Sequence, residues 1–112
     1  MVVALMPAEE FEKIREVWPG AQLRSDGGNA AVYLPAFEFS CGGRAVTMDL
    51  LLYPHSRSGY VTRLFFRQAL ARGPNWQSHF VCGETWCAPS WNNVHPNQPW
   101  VSMLANHLKA VE

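Results

Sequence analysis

Ala30-Ala-Val-Tyr-Leu-Pro-Ala-Phe-Glu-Phe39, then Ser40-Cys-Gly-Gly43, then Ala45-Val-Thr-Met-Asp-Leu-Leu-Leu-Tyr53 is the stretch on which the fold turns. β-Branched and aromatic residues crowd both runs, and the glycine pair between them is turn chemistry, so the two runs are predicted to form an antiparallel hairpin. Met48-Asp-Leu-Leu-Leu-Tyr53 is more continuously apolar than an edge strand needs, which predicts a central strand covered on at least one face by a helix. Pro54 stops it. Outward on the C-terminal side, His55-Ser-Arg-Ser-Gly-Tyr60 is a polar loop and Val61-Thr-Arg-Leu-Phe-Phe66 a further strand.

Upstream, Pro7 to Trp18 reads as a helix. Pro7 suits the first turn, Glu9 and Glu10 favour its positive end, and Phe11, Ile14, Val17 and Trp18 recur on one face. Pro19-Gly20 ends it, and Asp26-Gly27-Gly28 signals a turn before the hairpin. At the other end, Pro99 to Val111 reads as a second helix with Trp100, Met103, Leu104, His107, Leu108 and Val111 on one face. Between the last strand and that helix, residues 68–98 hold three Pro, two Gly and four Asn together with three of the five Trp. That mixture predicts an ordered functional loop rather than a linker. The sum is α+β: helix, an antiparallel meander of three to four strands, a long loop bearing a cysteine, then a helix.

With 112 residues, 48% hydrophobic and 16% charged, the chain suits one domain over residues 1–112, with aromatic side chains enough for a core without metal or disulfide. Nine basic and nine acidic residues leave no net charge, so nothing draws a phosphate backbone, and nucleic acid is not an expected partner. No apolar run approaches the ~18 residues that span a bilayer. Met1 to Met6 is too short for a signal peptide and lacks its basic flank. No membrane partner and a cytoplasmic address are the expectations. Cys41, Cys82 and Cys87 are odd in number, which argues against a disulfide framework and for at least one free thiol.

Tyr53-Pro54, then Gly59-Tyr60 and Thr62-Arg-Leu-Phe-Phe66, resembles the Tyr-Pro loop that leads into the fourth strand of ubiquitin-conjugating (UBC) enzymes. Gly83-Glu-Thr-Trp-Cys87 resembles that family's Gly-x-Ile-Cys approach to its active-site cysteine, with one extra residue. The spacing from Cys87 to the helix beginning at Trp100 also resembles the family's. More narrowly, Asn75-Trp76, Trp86, Ser90-Trp91 and the terminal His-Leu helix look like short bacterial UBC-like proteins. Those are encoded beside a ubiquitin-like protein, an activating-enzyme homologue and a JAB-type metalloprotease in antiphage defence operons. The resemblance implies a UBC-like fold. It also implies a transferase that accepts a ubiquitin-like modifier as a thioester from an activating enzyme and passes it to a target protein. The alternative it implies is an inactive UBC-like module that binds the modifier or the activating enzyme. The family's His-Pro-Asn is not in place before the cysteine: Gly73-Pro-Asn75 lies further upstream and His95-Pro-Asn97 lies downstream.

Thioester transfer needs an accessible thiolate that is not so stabilised that it attacks poorly. Cys87, between Trp86 and Ala88-Pro89, is the first candidate for the nucleophile. Cys82 is the second, because it follows Asn75 and precedes Trp91 in the family's Asn, Cys, Trp order. His79 precedes Cys87 by eight residues, the spacing at which the family places its Asn, so it is the candidate to stabilise an oxyanion or tune the thiolate. Set against these are plainer readings: cysteine as a small buried hydrophobe, His79 as an ordinary strand residue, and His107 as a satisfied core histidine. Cys82 and Cys87 with scattered histidines do not match the ligand spacing of a zinc site, and no cofactor is expected. No Cys-His-Asp signature points to a hydrolase.

Overall fold

The computed structural model describes residues 7–57, 59–92 and 94–112. Helix α1 spans Pro7–Val17, and six strands follow: β1 Gln22–Asp26, β2 Asn29–Cys41, β3 Arg44–Tyr53, β4 Arg63–Phe66, β5 Gln77–Val81 and β6 Glu84–Ala88. Helix α2, Trp100–Leu108, runs into a 3₁₀ turn at Lys109–Val111. The α+β class and both helices stand as read from sequence. The reading of Met1 to Met6 as too short for a signal peptide lies outside the described residues.

All neighbouring strands are antiparallel, in the order β1-β2-β3-β4-β6-β5. The anticipated hairpin closes at Gly42-Gly43, whose φ values of 57° and 83° give the turn twist that matches the strands. The three to four expected strands become six. One addition is β1, folded back on β2 through Gly27-Gly28. The others are β5 and β6, which replace the middle of the expected cysteine loop with a third hairpin turning at Cys82-Gly83.

Side-chain alternation splits the interior into two cores. Leu50, Leu52, Leu64 and Phe66 face Phe11 and Ile14 of α1 and Trp100, Met103 and Leu104 of α2. Leu51, Tyr53, Phe65, Val81, Trp86 and Ala88 form a separate cluster on the other face. The unbroken apolar run of β3 therefore has a physical reason, since Leu50 to Tyr53 are buried on both sides. Val17, placed on the apolar face of α1 by periodicity, is exposed at the helix end.

Among the described residues no helix packs on the second face; the sheet rolls across it. Tyr33 on β2 meets Trp86 on β6 edge to face at 6.2 Å although two strands lie between them. Guanidinium groups cover the rest: Arg67 stacks 4.0 Å from the Trp86 ring and Arg24 4.6 Å from Tyr33. Asp49 braces the roll where β2 bulges at Pro35 and Ala36. Its carboxylate accepts the Ala36 N–H at 2.9 Å and the Tyr33 hydroxyl at 3.0 Å, and Arg67 bridges it to Glu84. Those contacts, the Ala36 N–H foremost, hold the Asp49 carboxyl below its usual range. No helix among the described residues is long and apolar enough to cross a membrane.

Candidate functional site

The third hairpin carries all three candidate residues and places them on different sides. Cys87 sits in β6 with Phe66 and Ser78 as its lateral partners, so its side chain shares the face of Phe66, toward the helices, and is half-buried. His79 pairs with Trp86 and packs its ring 5.5 Å from Phe65, which puts it on the opposite, rolled face. In a pleated strand those two directions do not meet. The role expected for His79 at Cys87 is therefore corrected: the hairpin separates them. Burial, with Arg63 and Arg57 behind it, pushes the His79 imidazole below its ordinary value, and its Nε2 is buried without a hydrogen-bond partner among the described residues.

Cys82 is differently placed. It occupies the first position of the two-residue turn with φ 51°, beside Gly83 at φ 78°. Left-handed backbone at a residue with a Cβ carries strain of about 1–2 kcal/mol, which is why asparagine or glycine usually stands there. The cysteine holds that conformation because the turn is tied down. Its N–H donates to Asp26 Oδ1 at 3.2 Å, and its thiol donates to the Ser25 carbonyl at 3.8 Å.

Asp26 gathers more than this one contact. Arg57 Nη1 donates to its Oδ2 at 2.8 Å, the Tyr53 hydroxyl donates to the same oxygen at 3.4 Å, and Arg57 Nη2 reaches the Phe80 carbonyl at 3.1 Å. One carboxylate thus joins the β1–β2 turn, the loop after β3 and the tip of the third hairpin. Burial, followed by the nearby Asp26 carboxylate, pushes the Cys82 thiol above its ordinary value; Arg24 and Arg57 pull the other way. A thiol so placed is a minor thiolate at neutral pH but an intrinsically strong nucleophile when deprotonated.

Beneath this rim, Arg63 is 3% exposed, stacked 4.0 Å from Tyr60 and donating to the Pro89 carbonyl at 3.1 Å. No carboxylate among the described residues pairs with it. Arg63, Arg57 and Asp26 were not singled out in the sequence. The legible signal was Val81-Cys-Gly-Glu84 between two five-residue runs, a hairpin turn that points a cysteine at whatever faces it.

His107 is the core histidine the sequence suggested. Thr62 Oγ1 donates its single proton to the Val94 carbonyl at 2.7 Å, so the 2.8 Å contact to His107 runs from ring Nε2–H to Thr62. Burial, reinforced by Arg63, holds the imidazole down to about 4. Among the described residues no group of three or more His, Cys, Asp or Glu side chains is arranged to hold a metal ion. No protein-family model matches the chain, and no curated protein or solved structure matches it.

Proposed function

We propose that the chain is a UBC-like transferase of the bacterial cytoplasm that carries a ubiquitin-like modifier as a thioester on Cys82, in antiphage defence. The single observation that carries the choice of Cys82 is its strained seat: a non-glycine residue at φ 51° in a turn, held by Asp26. Strained residues cluster at functional sites, and Cys82, unlike the similarly strained Ala36, carries a nucleophile there. Helix α1, the β1–β4 meander and the Tyr53-Pro54 loop into β4 support the UBC reading by their order.

In this chemistry the Cys82 thiolate attacks the thioester carbonyl between modifier and activating enzyme, and the activating enzyme's thiolate leaves. An amine on the target then attacks the new thioester and releases the Cys82 thiolate. The proton leaves Cys82 before the first step, which the raised thiol makes the less populated state.

A second reading, a non-catalytic module docking the ubiquitin-like protein or its activating enzyme, is favoured by the thiol's contact with the Ser25 carbonyl and by the separation of His79 from Cys87. Incubation with ATP, a bacterial ubiquitin-like protein and its activating enzyme separates the two. Transfer gives an adduct that a reductant removes, kept in Cys87→Ser and lost in Cys82→Ser. Docking gives a complex in both and the adduct in neither.

A further inference from the structure

The tip of the third hairpin is held differently from its base. At the base, Phe66 and Cys87 are the lateral partners joining β6 to β4, Trp86 and Ala88 are buried, and the Ser90 N–H closes on the Pro74 carbonyl at 2.8 Å. At the tip, Val81 is buried and Cys82 packs against the rolled-face cluster, while Gly83, Glu84 and Thr85 are exposed and Phe80 is 69% exposed, so apolar contact restrains the β5 side of the turn and leaves the β6 side free of it. The remaining restraints are polar: the Cys82 N–H to Asp26, Arg57 holding Asp26 with one nitrogen and the Phe80 carbonyl with another, and Arg67 holding the exposed Glu84 at 3.0 Å. The Arg57–Asp26 side chains are each about a quarter exposed, and an ion pair in such a setting contributes about 1 kcal/mol at most. A segment with few buried apolar contacts and a weak polar tie opens locally before the rest of the molecule does.

We infer that Asp26 and Arg57 form a latch that clamps the β5–β6 turn to the first hairpin, and that releasing it frees the Cys82 thiol from the Ser25 carbonyl and bares the rim of the rolled face. Closed, the latch joins the two edges of the sheet, since β1 ends at Asp26 and the β5–β6 turn lies at the opposite edge. Open, it presents Cys82 while Trp86 and Phe65 stay in the core. The latch bears on the site proposed above, but it is a property of the fold and is tested without any modifier, so its failure and that of the transferase reading are distinguishable.

The test is the labelling rate of each cysteine in the full chain by a small aromatic disulfide, followed by peptide mass spectrometry. Arg57→Gln is the deciding variant because its two effects oppose. Loss of a nearby cation raises the thiol further and slows Cys82, whereas loss of the latch speeds it. The expected result is Cys82 labelling faster by up to about fivefold, equivalent to about 1 kcal/mol, with Cys41 and Cys87 unchanged. Asp26→Asn is expected to speed Cys82 alone as well, judged on the high-pH plateau where the thiol is fully ionised in both proteins. In the unmodified protein, amide exchange at Cys82 is expected to run through local opening, faster than at Leu51. Slower or unchanged Cys82 labelling in both variants overturns the latch, as does Cys82 exchange as slow as that of Leu51.

Discussion

Cys82 shares its left-handed backbone with Ala36 and Asn75 and is the one of the three that carries a thiol. A cysteine stands where turn geometry favours asparagine, and its thiol is pushed up by burial and by the carboxylate that holds its backbone. Cys82→Asn creates the Asn-Gly pair suited to this turn and is expected to raise the urea-unfolding stability by about 0.5–1 kcal/mol, while abolishing any thioester. Stability gained together with chemistry lost is the signature of a residue retained for function. His107 makes the second prediction at this scale. Its ring titrates at 6.5 when free and about 4 when folded, so the unfolded chain binds a proton over that window and the folded one does not. The stabilisation of the neutral ring is fully present above pH 6.5 and is lost as pH falls toward 4, a total of roughly 3 kcal/mol. Denaturant titrations at pH 7, 5.5 and 4.5 are expected to show a steeper fall for the wild type than for His107→Gln, and parallel curves would contradict the assignment.

Between the elements, the junction of the two helices depends on a buried acid. Glu10 on α1 is 2% exposed; its Oε1 accepts the Trp100 N–H at 3.0 Å, and Lys13 holds its other oxygen at 3.1 Å. Pro99, at the N-cap of α2, makes no side-chain cap hydrogen bond, so α1 supplies the cap from outside. Glu10→Ala is expected to cost about 1–3 kcal/mol in chemical denaturation, since it leaves a buried N–H unmatched. Glu10→Gln is expected to recover part of it. Both helices, the central hairpin and β4 were legible because their signals are local: periodicity, proline at a helix start, glycine pairs at turns. Strands β5 and β6 were not, because five-residue runs containing Gln77, Ser78 and Glu84 carry weak strand preference and stand among Pro, Gly and Asn. Their partners, Phe66 for Cys87 and Asp26 for the Cys82 turn, are remote in sequence. The candidate site was readable as far as its two cysteines. Its geometry was not, since which face a strand residue takes follows from pairing register.

At the scale of the whole molecule, a six-stranded sheet packs two helices on one face and closes the other by rolling, with arginines stacked on the enclosed aromatics. The roll brings both sheet edges to Asp26, and so sets a thiol at the seam between them. Composition could not show this, because a net charge of zero hides the distribution. Arg24 and Arg63 face the rolled side with no paired carboxylate among the described residues, while Arg57 and Arg67 are tied to Asp26, Asp49 and Glu84. A cysteine strained at a seam is the structural ground for the proposed transfer chemistry. The most direct measurement is the ATP-dependent adduct formed with a bacterial ubiquitin-like protein and its activating enzyme, run on gels with and without reductant. A reductant-labile adduct in the wild type and Cys87→Ser, absent from Cys82→Ser, is the expected result; an adduct that survives Cys82→Ser, or none in the wild type, would contradict it.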